Sequence, residues 1–238
     1  MALLDDVVSA SGGLEKWRRF RRFTFHVSIQ GSLLARSSAA THLKDVVAEG
    51  CTQTPWVRLT CFSGADKCAV YRPSQVSIES LDGTLLEVRN DPRAVLLSHG
   101  DPSSWDDLDL VYICGLSIWN FAAMPFLLTH PGMQVQELSP WHERNETWGR
   151  VRAVFPDDIV TLSREQIFYF DAAGLQRRTD HQMPGAAGVR IVHYSWAHQA
   201  FSDILIPTLR QSSLMRPDGS IITKPAFIDL EIFDASFD

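Results

Sequence analysis

Three groups of residues have the types and spacing to do chemistry. The first is Val189-Arg-Ile-Val-His193-Tyr194-Ser-Trp196-Ala-His198, two histidines among aromatics. On one extended strand at about 3.3 Å per residue, His193 and His198 point to opposite faces about 16 Å apart, which rules out a shared metal unless a bulge intervenes. His193 is then either a general base in a cavity or a hydrogen-bonded sheet histidine. The second group lies in the hairpin Glu165–Phe170, Asp171-Ala-Ala-Gly174, Leu175–Gln182. A four-residue loop would set Glu165 opposite Asp180, Ile167 opposite Arg178 and Tyr169 opposite Gln176, all on one face. An arginine between two carboxylates can hold a polar head group or raise one carboxyl's pKa inside a cavity; on an outer face it is a solvated patch. His193 with Asp180 is the acid–base pair these two groups suggest. The third group is aromatic: Trp105, Tyr112, Trp119, Phe121 and Phe126. Tyr112, Trp119 and Phe126 are spaced by seven and share a helix stripe if Pro125 does not redirect the end. Asn120 stands beside that stripe and needs a partner if buried. Trp105, Tyr112, Trp119, Asn120, Tyr169 and Arg178 are accordingly the candidate ligand-binding residues.

The elements that must position these groups change period along the chain. Leu3–Ser11 reads as a short helix stopped by Gly12-Gly13, with a second helical turn over Leu14–Phe20. Phe23-Thr-Phe25-His-Val27-Ser-Ile29-Gln30 then alternates apolar and polar, the pattern of a half-buried strand. Further strands are expected at Leu43–Glu49, Val57–Phe62, Lys67–Arg72, Gln75–Ser80 and Leu85–Arg89. Residues 91–129 are helical, with Ser103/Asp106 and Ser104/Asp107 as candidate capping boxes. Strand signals return at Met133–Leu138, Thr147–Phe155, Glu165–Phe170, Leu175–Gln182, Val189–Trp196, Pro207–Met215 and Phe227–Phe233. The chain has no linker or internal repeat. The order predicts one α+β, mainly β domain over residues 1–238: a strongly curved antiparallel sheet or open barrel covered by the helical insertion.

Composition narrows the function classes. The 22 Lys and Arg against 28 Asp and Glu give a net charge of −6, with no general pull toward nucleic acid. The basic run Lys16–Arg22 reads as a solvated junction whose Trp17 and Phe20 anchor the core. Leu110–Leu128 is of membrane-spanning length, but Gly115 and Pro125 interrupt it and no basic residues flank it, so a buried helix is expected rather than an integral span. Cys51, Cys61, Cys68 and Cys114 have no metal-finger spacing, so no metal is expected. A turn at Gly64-Ala65 would set Cys61 opposite Cys68, where a bridge forms only in an oxidising compartment. The acidic start, with Asp5 and Asp6, lacks a secretory pattern and predicts a cytoplasmic protein with reduced thiols. No nucleotide, serine-hydrolase or metalloprotease motif is present, and no cofactor is expected.

The stretch Trp105-Asp-Asp-Leu-Asp-Leu-Val-Tyr112, with Trp119-Asn120, Pro125-Phe126-Leu-Leu, Phe155-Pro156, Ser163–Asp171 and Gly174-Leu175, resembles an uncharacterised bacterial family of about this length. The resemblance implies a fold like that of the periplasmic lipoprotein-localisation carriers, a curved antiparallel sheet whose helices cover a greasy concave face. The chain departs from the family pattern at Thr161-Leu162-Ser163 and Arg178-Thr179-Asp180-His181, where relatives read Thr-His-Ser and Arg-His-Asp-Tyr. Any family site built on those groups is lost here or re-made, with His181 and His193 as the replacements at hand.

Three functions fit these readings. The leading one is a binding protein holding an apolar small molecule between sheet and insertion helix. The second is a cofactor-independent cyclase, isomerase or dehydratase acting on an apolar intermediate in the same pocket. The third is a protein–protein interaction module, a homodimer included, that presents the aromatic helix.

Overall fold

The computed structural model describes residues 2–34, 43–99, 104–183 and 188–238. Helices α1 (Ala2–Ala10) and α2 (Leu14–Trp17) lead into strands β1 (Arg22–Gln30), β2 (Val46–Cys51), β3 (Val57–Thr60), β4 (Lys67–Arg72), β5 (Gln75–Ser80) and β6 (Leu85–Asn90). Helices α3 (Pro92–His99) and α4 (Asp107–Ala123) follow, then a 3-10 turn over Phe126–Thr129. The chain returns to the sheet with β7 (Gln134–Glu143), β8 (Glu146–Val154), β9 (Glu165–Phe170), β10 (Gln176–Gln182), β11 (Arg190–Phe201), β12 (Ile204–Met215), β13 (Ile221–Ile222) and β14 (Ile228–Phe237). Neighbouring strands pair antiparallel in the order β6-β5-β4-β3-β2-β1-β14-β12-β11-β10-β9-β8-β7, with β13 beside β12. The result is one open, mainly β, α+β sheet, as the sequence predicts. The C-terminal strand β14 stitches its halves together by pairing with both β1 and β12.

Alternation builds the floor. Phe23, Phe25, Val27 and Ile29 of β1 are all buried, and the side chains of Phe23 and Phe25 meet at 4.7 Å between ring centroids. On this floor lies α4, buried along nearly all its length. Its N-terminus is fixed by a capping box of Asp106 and Asp109, not by the serines the spacing suggests: Asp109 N–H donates to Asp106 Oδ1 at 3.0 Å and Asp106 N–H to Asp109 Oδ2 at 3.1 Å. Ser103 lies outside the described residues. Asp109, fully buried, also accepts from Arg89 Nη1 at 3.0 Å and bonds His99 Nδ1 at 2.7 Å, which ties the helix start to β6 and α3. Midway along the helix Gly115 touches β4: a Cβ there would come within 2.2 Å of Tyr71 Cβ. Only glycine allows so close an approach.

Several local expectations are corrected. Cys68 faces Thr60, one residue short of Cys61, and Cys61 sits in the turn at φ 58°, so both thiols are free. Strand β11 runs past its expected end at Trp196 to Phe201 and β12 begins at Ile204 rather than Pro207, so that they meet at the two-residue turn Ser202-Asp203, both with positive φ. In the β9–β10 hairpin a bulge between Gln176 and Arg178 shifts the pairing, placing Tyr169 opposite Arg178 and Ile167 opposite Asp180. Among the described residues no helix is long and apolar enough to cross a membrane; the apolar run of the insertion is α4, inside the protein.

Candidate functional site

The two long sides of α4 meet different surroundings. Tyr112 and Trp119, about 20° apart around the axis at about 100° per residue, share a side with Gly115 and pack against the sheet, Trp119 also bordering a separate pocket of about 400 Å³ with Trp17, Ala123 and Phe126. Tyr112 meets Tyr71 at 5.8 Å between ring centroids, and Trp119 Nε1 donates to the carbonyl of Cys51 at 2.9 Å. The opposite side carries Ser117, Asn120, Phe121 and Met124, and these line a cavity of about 90 Å³ against β9–β12 and β14. Its apolar wall is completed by Leu162, Phe168, Ile228 and Leu230. Two smaller spaces adjoin it along the helix. One, about 30 Å³, shares Ser117, Leu162, His193 and Ile228 with it and reaches Trp105. The other, about 20 Å³, shares Phe121, Met124 and Gln176 and reaches Ser11 and His198. Half of the trough is thus filled by its own aromatics, and the other half keeps a narrow seam.

The sheet wall of this seam is polar. His181 Nδ1 lies 3.0 Å from the carbonyl of Gln182, His181 Nε2 lies 2.9 Å from His193 Nε2, and His193 Nδ1 lies 2.6 Å from Ser212 Oγ. A carbonyl only accepts, so His181 carries its proton on Nδ1 and accepts at Nε2. His193 then donates from Nε2, and Ser212 donates to its Nδ1. The chain itself requires a neutral His181; burial keeps His193 neutral as well. Burial pushes His181 down to about 4 and His193 well below the usual imidazole value, with the nearby charge of Arg210 acting in the same direction.

Arg210, between Leu209 and Gln211 on β12, is the exceptional group. Its guanidinium lies over the Phe121 ring at 5.4 Å from the centroid. Among the described residues it has no hydrogen bond or ion pair, and burial pulls its pKa down to about 10, still charged at neutral pH. Asn120 completes the polar lining: Nδ2 donates to the carbonyl of Leu116 at 2.9 Å, while Oδ1 is buried without a partner.

The residues named from the sequence divide by position. His193, Asn120 and Trp105 border the seam, Trp105 with its Nε1 buried and unpartnered. Tyr112 and Trp119 do not; they lie on the other side of α4, and the 3-10 turn that follows Pro125 takes Phe126 away to stack on Trp17 at 4.7 Å, where Trp119 and Phe126 border a separate pocket outside the seam. Tyr169, Arg178 and Asp180 are brought together, but on the outer face of the sheet, since their neighbours Phe168, Thr179 and His181 face the cavity. There Arg178 donates to Asp180 from Nε at 2.6 Å and Nη2 at 2.8 Å and to Glu143 from Nη1 at 2.9 Å, and Tyr169 donates to Asp180 Oδ2 at 2.9 Å. Trp141 from the tip of the β7–β8 hairpin covers the guanidinium at 5.5 Å. Every oxygen of Asp180 is satisfied, so the cluster is a buried staple, with Glu143 rather than Glu165 as the second carboxylate. His193 and Asp180 therefore stand on opposite faces, and the acid–base pair expected from the sequence is not assembled. His198 is also displaced: with Ala197 at φ 54° before it, it borders the small cavity adjoining that of His193. Arg210, Ser212 and the orphaned Asn120 oxygen are what reading along the chain missed. A homodimer through the aromatic helix has no support, because that helix is buried.

Comparisons with known proteins give the fold and little more. No family model and no curated protein matches this chain. Among solved structures it is similar to a DUF1329 family protein from Desulfovibrio piger, at 10% identity over 100% of this chain and 92% of that one, with a TM-score of 0.51. A LolA superfamily protein from Nitrosomonas europaea matches at 10% identity over 93% of this chain and 90% of that one, TM-score 0.47. A putative outer membrane lipoprotein-sorting protein domain from Vibrio parahaemolyticus matches at 12% identity over 96% and 93%, TM-score 0.39. The cytoplasmic location expected from the acidic start is not supported by these comparisons, one of which is named for outer membrane lipoprotein sorting. The chain has the lipoprotein-carrier-like fold that its sequence resemblance implies.

Proposed function

We propose that this protein binds a small apolar molecule in the seam between α4 and strands β9–β14. The observation that supports this reading is the string of cavities along Ser117, Phe121 and Met124, on the one side of α4 where the helix and the sheet do not interlock. A cavity of about 150 Å³ takes up benzene, so the main space of the seam, about 90 Å³, suits a chain of a few carbons as it stands. Larger guests must part α4 from β9–β14. Burial of about 200 Å² of ligand at roughly 25 cal/mol per Å² supplies about 5 kcal/mol before association costs, which corresponds to weak, exchangeable binding suited to a carrier. Catalysis without a cofactor rested on His193 with Asp180, and the sheet separates them.

The test is equilibrium binding of the neutral probe 1-hexanol to the wild type and to Ser117→Phe, which places a ring where two of the cavities meet. The expected result is saturable binding to the wild type and at least a tenfold loss in the variant at unchanged secondary structure. Equal binding by both proteins would place the probe elsewhere and end this reading.

A further inference from the structure

An ionised guanidinium that faces a largely apolar cavity without a counter-charge is poorly compensated. Arg210 has only the face of Phe121, at 5.4 Å, to compensate it. A cation–π contact offsets only part of the cost of an unpaired charge. Among the described residues, the groups that share its cavity supply no negative charge: His181, His193 and Ser212 form a hydrogen-bonded chain, and Gln176 and Gln166 donate to Thr179 Oγ1 at 2.9 Å and to the carbonyl of Ser163 at 3.1 Å; Asp229 and Glu231 flank Leu230 on β14 and alternate to the other face of the sheet. The buried Arg178 shows how this fold satisfies a guanidinium from within, using two carboxylates and two tyrosines. Arg210 shares the wall of the largest cavity in the seam. The missing partner therefore belongs to whatever enters that cavity.

We infer that the ligand of this seam is an amphiphilic monocarboxylate, its carboxylate held by the Arg210 guanidinium and its hydrocarbon lying against Phe121, Leu162 and Leu230. This deepens the binding reading above and rests on it. One fixed positive charge among neutral rings matches a single negative charge better than the double charge of a phosphate monoester. The planar fork of Arg210 also suits a carboxylate's two oxygens. The orphaned Asn120 oxygen adds a specificity element, because it is an acceptor and rewards an acid that also carries a hydroxyl or amide N–H donor.

The experiment titrates wild type, Arg210→Met and Ser117→Phe with hexanoate and with 1-hexanol, the same chain without the charge. The wild type is expected to bind hexanoate at least tenfold more tightly than 1-hexanol. Arg210→Met, which keeps the apolar stem, is expected to lose that preference while still binding 1-hexanol, and its ligand-free melting temperature should rise as the uncompensated charge is removed. Ser117→Phe should lose both ligands. Equal affinity of wild type for the two ligands, or an undiminished preference in Arg210→Met, overturns the carboxylate inference and leaves the apolar seam standing. A wild type that binds neither ligand overturns both. Should Arg210→Met unfold, Arg210→Lys takes its place: a retained charge without the fork is expected to keep part of the preference, and a full preference contradicts the bidentate contact.

Discussion

His181 and His193 are neutral because they are buried, bonded in series and near a fixed cation, and this has a consequence for stability. A histidine whose pKa is lower in the folded than in the unfolded protein binds fewer protons when folded, so stability rises with pH between the folded value and about 6.5. For His181, held at about 4, lowering the pH from 7 to 4.5 should cost roughly 2 to 3 kcal/mol. Carboxylates contribute below that window, Asp106 being held down at about 2 by its hydrogen bond from Arg89. Urea denaturation at pH 7 and pH 4.5 checks this: a loss of that size that shrinks in His181→Gln is expected, and a flat profile contradicts the neutral chain. At this scale the sequence was partly legible. It brought Tyr169, Arg178 and Asp180 to one face, because alternation survives an even shift of register. It missed Arg210, because finding its neighbours requires the β11–β12 register. That register follows from the Ser202-Asp203 turn: once Phe201 faces Ile204, His193 must face Ser212 and Ser195 must face Arg210. No glycine or proline marks that turn.

Helix α4 is held by one tight contact and one loose one. Gly115 against Tyr71 lets the helix seat on β4, whereas the side bearing Asn120 and Phe121 leaves space. Gly115→Ala should improve helix propensity by about 1 kcal/mol yet destabilise the protein by about 2 kcal/mol net, because the added methyl meets the Cβ of Tyr71 rather than a flexible chain end. Chemical denaturation measures the sign, and a more stable variant would show that α4 is free to shift away from β4. The extent of the helical insertion was readable from its apolar run and acidic start. Which side of it faces a cavity was not, since every side is apolar or small: aromatic spacing pointed to Tyr112 and Trp119, and close packing through a glycine claimed precisely that stripe for the core.

As a whole, the sheet is asymmetric. The half from β2 to β5 and the stripe of α4 above it form a conventional core, while the half from β9 to β14 meets α4 across a seam with an apolar helix wall and a polar sheet wall. Strand alternation and a helical interruption made the curved open sheet legible, and the same signals cannot show whether the space beneath the helix is filled, because that depends on how far the helix descends on each side. The central claim is that this seam takes a guest. Its most direct test is a methyl NMR titration with hexanoate, reading Leu162, Ile228 and Leu230 against Leu59 and Val76 of the filled half. The account expects saturable shifts confined to the first three. Shifts spread evenly over both groups, or none at millimolar ligand, would contradict it.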